Sequence, residues 1–317
     1  MSETIKVAEL ASALLTLAAP LSAFDMPLLD AHGATLADDV TKNGNVLLKS
    51  GSRIRATQIG LAASLGLDHL PTRPQPRVVV ISAGADLVEP GHELQSENEE
   101  YEANSWLLTT AMKEAGAVGY RVHTIPETAD SLKAVIEDQL VRADLIVIAG
   151  ESHDESFDLI FSVLQSLGDV RAVTPLIEGS GRHAFGTIGP DKTPVVALPG
   201  DPIAAYISTE LFIRPMVRSM MGLHDIHRPV TKATLTNDVA SEAGKHAFIR
   251  AILSNSILSN SNVSNSNGDR RTVTAIPAQD DLASLSDATG LVILGDQLSS
   301  ARAGDEVDVL LLERRFQ

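Results

Sequence analysis

The spacing of apolar positions changes character twice along the chain. Ile5 to Ala18 carries apolar residues at helical spacing and predicts one amphipathic helix. Met26 to Gly33 predicts a short strand or turn, Thr35 to Val40 a second short element, and Thr41-Lys42-Asn43-Gly44-Asn45 a turn. Ala56 to Leu65 predicts a second helix, stopped by Gly66. Pro71, Pro74 and Pro76 predict a stiff extended linker, with a domain boundary near residue 76.

From Arg77 the pattern shifts to unbroken apolar runs. Arg77 to Ser82, Asp144 to Gly150 and Pro194 to Gly200 each predict a strand buried on both faces. Between and after them, Glu99 to Ala115, Ala129 to Leu140, Phe157 to Leu167 and Ile203 to Met221 predict helices, and Tyr120 to Thr124 a further strand. Strands alternating with helices predict an α/β domain with a mostly parallel sheet over residues 77–222. Beyond Pro229 the runs become short and alternating: Val230 to Leu235, His246 to Leu253, Thr272 to Ile276, Leu291 to Leu294 and Val307 to Leu312. They predict a small all-β domain over residues 229–317, interrupted by the Ser/Asn-rich stretch Ser254 to Asn267, read as a hairpin extension or loop.

Composition narrows the chemistry. At 317 residues, hydrophobic content of 44% suffices for two cores of about 150 residues each. The absence of cysteine removes disulfides, thiolate metal sites and thiol catalysis. A formal net charge of −16 disfavours phosphate backbones and so nucleic acid. The apolar stretch Leu10 to Leu21 is too short for a membrane span and lacks the basic flank of a signal peptide, so the expectation is a cytoplasmic protein without membrane insertion.

In an open α/β sheet, ligands bind beyond the carboxyl ends of the strands. Three loops fall there: Ala83-Gly84-Ala85-Asp86, Gly150 to Ser156, and Gly200-Asp201-Pro202. Glycine at such points lets backbone amides approach an anion; it also serves a plain tight turn, and each loop alone is open to both readings. The loop Gly150-Glu151-Ser152-His153-Asp154-Glu155-Ser156-Phe157-Asp158, with four carboxylates and a histidine, is either a magnesium site or a solvated cap on the helix that begins near Phe157. No Walker loop, HExxH pair or Ser/His/Asp arrangement is present.

Ala197-Leu198-Pro199-Gly200-Asp201-Pro202-Ile203-Ala204-Ala205 resembles the LPGNPVSA motif of the molybdopterin molybdotransferase (MoeA/gephyrin) family. Companions stand in the family's order. Ser82 to Leu87 resembles its TGDEL loop, Tyr101 to Ser105 its Y-D-S-N element, Ile148 to Asp158 its SGGVSVGxxD segment, and Ile177 to Gly186 its KPGKPxxFG stretch. The resemblance implies a short N-terminal α+β region (1–76), a central pterin-binding, MoaB/Mog-like α/β domain (77–222) and a C-terminal β-barrel (229–317), in a homodimer. It implies molybdate insertion into adenylated molybdopterin with AMP release, with magnesium as cofactor. Carried over position by position, it places Glu102 and Asp158 as catalytic and metal-holding carboxylates. It places Gly84, Asn104, Gly150, Ser152, Arg182, Pro199, Gly200 and Asp201 on the ligand.

The departures point one way. The chain runs from Asp39-Val40 directly to Asn45-Val46-Leu47-Leu48, where the family carries an inserted domain. Ala83 and Ala85 replace the Thr and first Asp of TGDEL, and Glu178 and Gly181 replace two lysines. Asp201 replaces an asparagine, and Ala278-Gln279-Asp280 takes the place of a Gly-Ser pair. Exchanging cations and glycine amides for carboxylates turns attraction for an oxyanion into repulsion. Two functions are therefore expected: a MoeA-like enzyme of weak or lost activity, or a non-catalytic, gephyrin-like dimeric scaffold for a protein or peptide partner.

Overall fold

The computed structural model describes residues 3–151, 154–256, 270–277 and 282–312. The chain folds as two compact units: Met1–Glu3, Ala8–Thr174 and Gly181–His227 form the first, and Thr4–Val7, Pro175–Ser180 and Arg228–Gln317 the second.

The first unit is built on three strands that the apolar runs specify. Val78 to Ser82 and Leu145 to Ala149 are buried throughout, and Thr193–Leu198 nearly so. They pair in parallel, Ile146 opposite both Val79 and Val195, with Val118–Arg121 added in parallel beside Arg77–Ser82. Two strands that the sequence does not announce, Gly168–Pro175 and His183–Ile188, extend the sheet antiparallel on the other side. The full order is Glu3–Ile5, Gly168–Pro175, His183–Ile188, Thr193–Leu198, Leu145–Ala149, Arg77–Ser82, Val118–Arg121. The helices Ala129–Leu140 and Asp154–Leu167 bury Leu132, Ile136, Ile160 and Leu164 against Ile81 and Ile148. Each such side chain contributes about 1.5–3 kcal/mol relative to exposure.

Three expectations are corrected. The helix predicted from Glu99 begins at Asn104, because Glu100–Tyr101 is used in a parallel ladder with Leu87–Val88. The helix predicted over Ile203 to Met221 is α-helical over Pro202–Ser208 and Arg214–Met220, with a π-helical turn at Thr209–Ile213. Pro215 has no N–H to continue an α-helical ladder, and the Arg214 amide bonds five residues back to Thr209. Finally, the Pro71 end of the supposed linker lies in the strand His69–Arg73, central in a sheet with Phe24–Pro27 and Thr35–Leu36. Its alternate residues Leu70 and Thr72 are fully buried, which holds the extended run in place.

That N-terminal region has a small core of its own, with Leu36, Leu48, Ile54, Ala62 and Leu70. Within it Val40–Lys42 and Asn45–Leu48 form a hairpin. Its two turn residues both have left-handed backbone, Asn43 at φ 52 and Gly44 at φ 79, as a two-residue turn matched to strand twist requires.

The second unit is a closed five-stranded barrel, ordered Val230–Leu235, Arg270–Ala275, Ala247–Ser256, Gly290–Leu294, Glu306–Leu311. Val230–Leu235 closes it, parallel to Arg270–Ala275 and antiparallel to Glu306–Leu311. Val273, Val292 and Val309 fill its interior. The Ser/Asn stretch begins within the Ala247–Ser256 strand, and 257–267 lies outside the described residues, as does Ala278-Gln279-Asp280. Among the described residues no helix is long and apolar enough to cross a membrane.

Candidate functional site

The carboxyl ends of the parallel strands deliver three loops to one place, and Asn104 ties two of them. It is the first residue of the helix Asn104–Ala115, and its Nδ2 donates to the Gly200 carbonyl at 2.6 Å and the Gly150 carbonyl at 3.5 Å. With both donors aimed at carbonyls the amide orientation is settled, and its Oδ1 is a buried acceptor without a hydrogen-bond partner. The loop after Arg77–Ser82 joins the same assembly. The Ala83 amide donates to the Ala149 carbonyl at 3.0 Å, and Asp86 N donates to Glu151 Oε1 at 2.6 Å. Gly84, Asn104, Gly150 and Gly200 are therefore brought together.

Glu102 stands just before Asn104 and is 1% exposed. Its Oε1 accepts from Ser82 Oγ and from the Ser105 amide, each at 2.6 Å, and its Oε2 accepts from Ser105 Oγ and from Arg121 Nη2. The four acceptor positions of the carboxylate are thus filled by protein donors. Arg121 comes from the end of the strand Val118–Arg121, pairs also with Glu89, and lies over the Trp106 ring at 4.1 Å. Glu102 fixes the start of the helix and so the position of Asn104. Sequence reasoning missed Arg121, Ser82 and Ser105; an arginine at a strand end beside a motif carboxylate is the signal that could have found Arg121.

Asp158 has other partners. Its side chain is 67% exposed and accepts from Arg182 Nη1 at 2.6 Å, while the Arg182 guanidinium lies over Phe157 at 4.5 Å. Glu102 and Asp158 thus serve different ion pairs, and the donor set does not fit a magnesium ion held between them. Among the described residues, no three His, Asp or Glu side chains converge as metal ligands. Gly181, preceding Arg182, packs against Pro199, where a Cβ would come within 2.9 Å of the proline ring. Asp201 caps the helix Pro202–Ser208, accepting from the Ala204 amide at 2.7 Å. Ser152 lies outside the described residues. Glu178, where the resemblance expects lysine, belongs to the second unit and accepts from the Glu242 amide at 3.2 Å.

A separate cavity of about 340 Å³ opens at the amino ends of the strands, lined by Leu21, Arg77, Leu140, Asp144, Thr193 and Met220. Arg77 and Asp144 join there through two side-chain bonds at 3.1 and 2.9 Å, which raises the affinity of the guanidinium for its proton and spends its charge. The chemistry of this cavity is not that of the glycine loops.

A mostly parallel sheet whose glycine loops gather past the strand ends, joined in one chain to a closed barrel, defines an α/β protein with an appended β unit. Residues 79–219 match the family model described as "Probable molybdopterin binding domain". The chain belongs to the MoeA, or molybdopterin molybdenumtransferase, family. It is 33% identical over 276 residues to "Molybdopterin molybdenumtransferase 2" of Mycobacterium tuberculosis, covering 84% of this chain and 64% of that protein. "Molybdopterin molybdenumtransferase 1" of the same organism is 29% identical over 280 residues, again with 64% of its length covered. The chain thus spans slightly under two thirds of these relatives. The crystal structure of a molybdopterin biosynthesis MoeA protein from Pyrococcus horikosii has the same fold, with a TM-score of 0.80 at 19% identity, covering 98% of this chain and 100% of that one.

Proposed function

We propose that this chain works in molybdenum cofactor biosynthesis as a MoeA-like protein that binds adenylated molybdopterin at the Gly84, Gly150 and Gly200 loops. In this reading molybdate insertion with AMP release is weak beside that of the relatives. The observation that carries the reading is Asn104: its amide holds two of the loops and leaves a buried, unpartnered oxygen that a donor-bearing heterocycle would satisfy. Weakness of the insertion step is argued from Glu151 and Asp201, two carboxylates where the family pattern expects glycine and asparagine. The chain's own part is to bind and orient: the loops present backbone groups, and Glu102 with Arg121 holds the helix that carries Asn104. No step is assigned to a metal, and a homodimer is proposed as the assembly.

The test is binding of adenylated molybdopterin, with molybdate in magnesium buffer, to the purified chain and to Asn104→Ala, with AMP release followed alongside. Micromolar binding that Asn104→Ala weakens by about tenfold, the value of one good hydrogen bond to a buried partner, supports the reading. A folded chain that binds nothing at millimolar ligand retires it. The same two carboxylates favour a second reading, a non-catalytic scaffold for a protein or peptide partner, which that negative result would leave standing.

A further inference from the structure

The Gly84 loop already has an occupant. A Cβ built on Gly84 would overlap the Glu151 carboxylate, so the Glu151 side chain lies across the face of the loop that only glycine leaves open. Its Oε1 takes the Asp86 amide at 2.6 Å. The residue is anchored from behind as well: its own amide donates to Ser156 Oγ at 3.1 Å, and that hydroxyl donates to the Ala83 carbonyl at 3.4 Å. A backbone amide in a glycine-containing loop, just past a buried strand, is a donor that bound oxyanions use. Here the oxyanion on it is the protein's own.

We propose that Glu151 is a tethered pseudo-ligand of the Gly84–Asp86 loop, whose carboxylate takes the position of a phosphate-type oxyanion and makes the loop select against one. The inference rests on the placement of the ligand site at these loops. A tethered group competes at an effective concentration that dissolved anions do not reach, and its charge repels them besides. In this reading Glu151 lowers the affinity of the loop for an oxyanion, and a ligand that binds there must displace its carboxylate from the Asp86 amide.

Inorganic pyrophosphate is the probe, titrated calorimetrically into the full chain, Glu151→Ala, Glu151→Gln and Glu155→Gln. Glu155 is exposed on the same acidic run and serves as the control for charge alone. Glu151→Ala gains affinity by about tenfold or more, the scale expected on losing a tethered competitor. Glu151→Gln, which keeps an acceptor for the Asp86 amide, gains less, and Glu155→Gln leaves affinity within about twofold, as an exposed, solvated charge should. Equal gains in Glu151→Ala and Glu155→Gln, or no gain in a folded Glu151→Ala, overturn the proposal; if Glu151→Ala fails to fold, the comparison of Glu151→Gln with Glu155→Gln decides it. Pyrophosphate binding by Glu151→Ala without any binding of adenylated molybdopterin would keep this inference and retire the functional reading. Binding of adenylated molybdopterin by the unaltered chain, with no pyrophosphate gain, would do the reverse.

Discussion

Glu102 and Arg121 illustrate how burial redirects a motif residue. A carboxylate 1% exposed needs its lone pairs filled, and Ser82, Ser105 and Arg121 fill them. Removing one partner of such a buried pair typically costs about 3–5 kcal/mol, so selection on folding alone would retain both residues. His183 poses the opposite case, a titratable group kept neutral. It is fully buried with Nε2 at 2.8 Å from Ser208 Oγ; burial pushes its pKa from 6.5 down to about 4, and the Gly181 carbonyl offsets only part of that. With the folded value below the unfolded one, the unfolded chain takes up the proton first. His183 therefore costs nothing above about pH 6.5, and stability falls as pH drops from there toward 4. The slope it adds is roughly 1 kcal/mol per pH unit. Denaturant melts from pH 7 to 4.5, standard acid conditions for this linkage, should show a shallower decline for His183→Gln than for the unaltered chain. Identical declines would remove His183 from the account.

At the scale of elements, caps and turns decide where the apolar runs end. Asp201 accepts from the Ala204 amide at 2.7 Å, with Pro202 behind it, and so starts the helix Pro202–Ser208. Asp201→Ala should cost about 1 kcal/mol in chemical denaturation and Asp201→Asn much less, since asparagine caps as well as aspartate. Equal costs would mean that the charge, and not the cap, is what the helix uses. Runs buried on both faces were legible, since short, β-branched, unbroken apolar runs suit a strand of a parallel sheet: Arg77–Ser82 and Leu145–Ala149 stand where the pattern puts them. Ala129–Leu140 was legible from its period, and Val230–Leu235 from its alternation. Gly168–Pro175 and His183–Ile188 were not, because glycine and a buried histidine break the pattern and only the register with neighbours makes them strands. At the site, the glycine loops and Asn104 could be placed from motif order. Glu151 on the Asp86 amide and Arg121 on Glu102 could not, because both are contacts across 65 and 19 residues that only the folded chain brings together.

For the whole molecule, the match to the mycobacterial relative takes in 84% of this chain and 64% of that protein. The hairpin Val40–Lys42 and Asn45–Leu48 brings the chain back on itself, with Lys42 opposite Asn45. A Cβ added at Gly44 would meet nothing within 4 Å. Neighbouring strand ends facing open space are the condition under which a foreign folded body, its own termini close together, can be spliced into a chain for little more than the entropy of two short linkers. A small, independently stable protein grafted between Asn43 and Gly44 should leave the melting of the host within about 1 kcal/mol of the original, the size of that linker term. Loss of the host fold on grafting would show that the tight turn is needed to nucleate the region. Seen this way the Asn43-Gly44 turn is a socket. Lineages sharing this architecture could acquire or discard a whole module at that point in a single genetic event, with every strand pairing elsewhere left as it was.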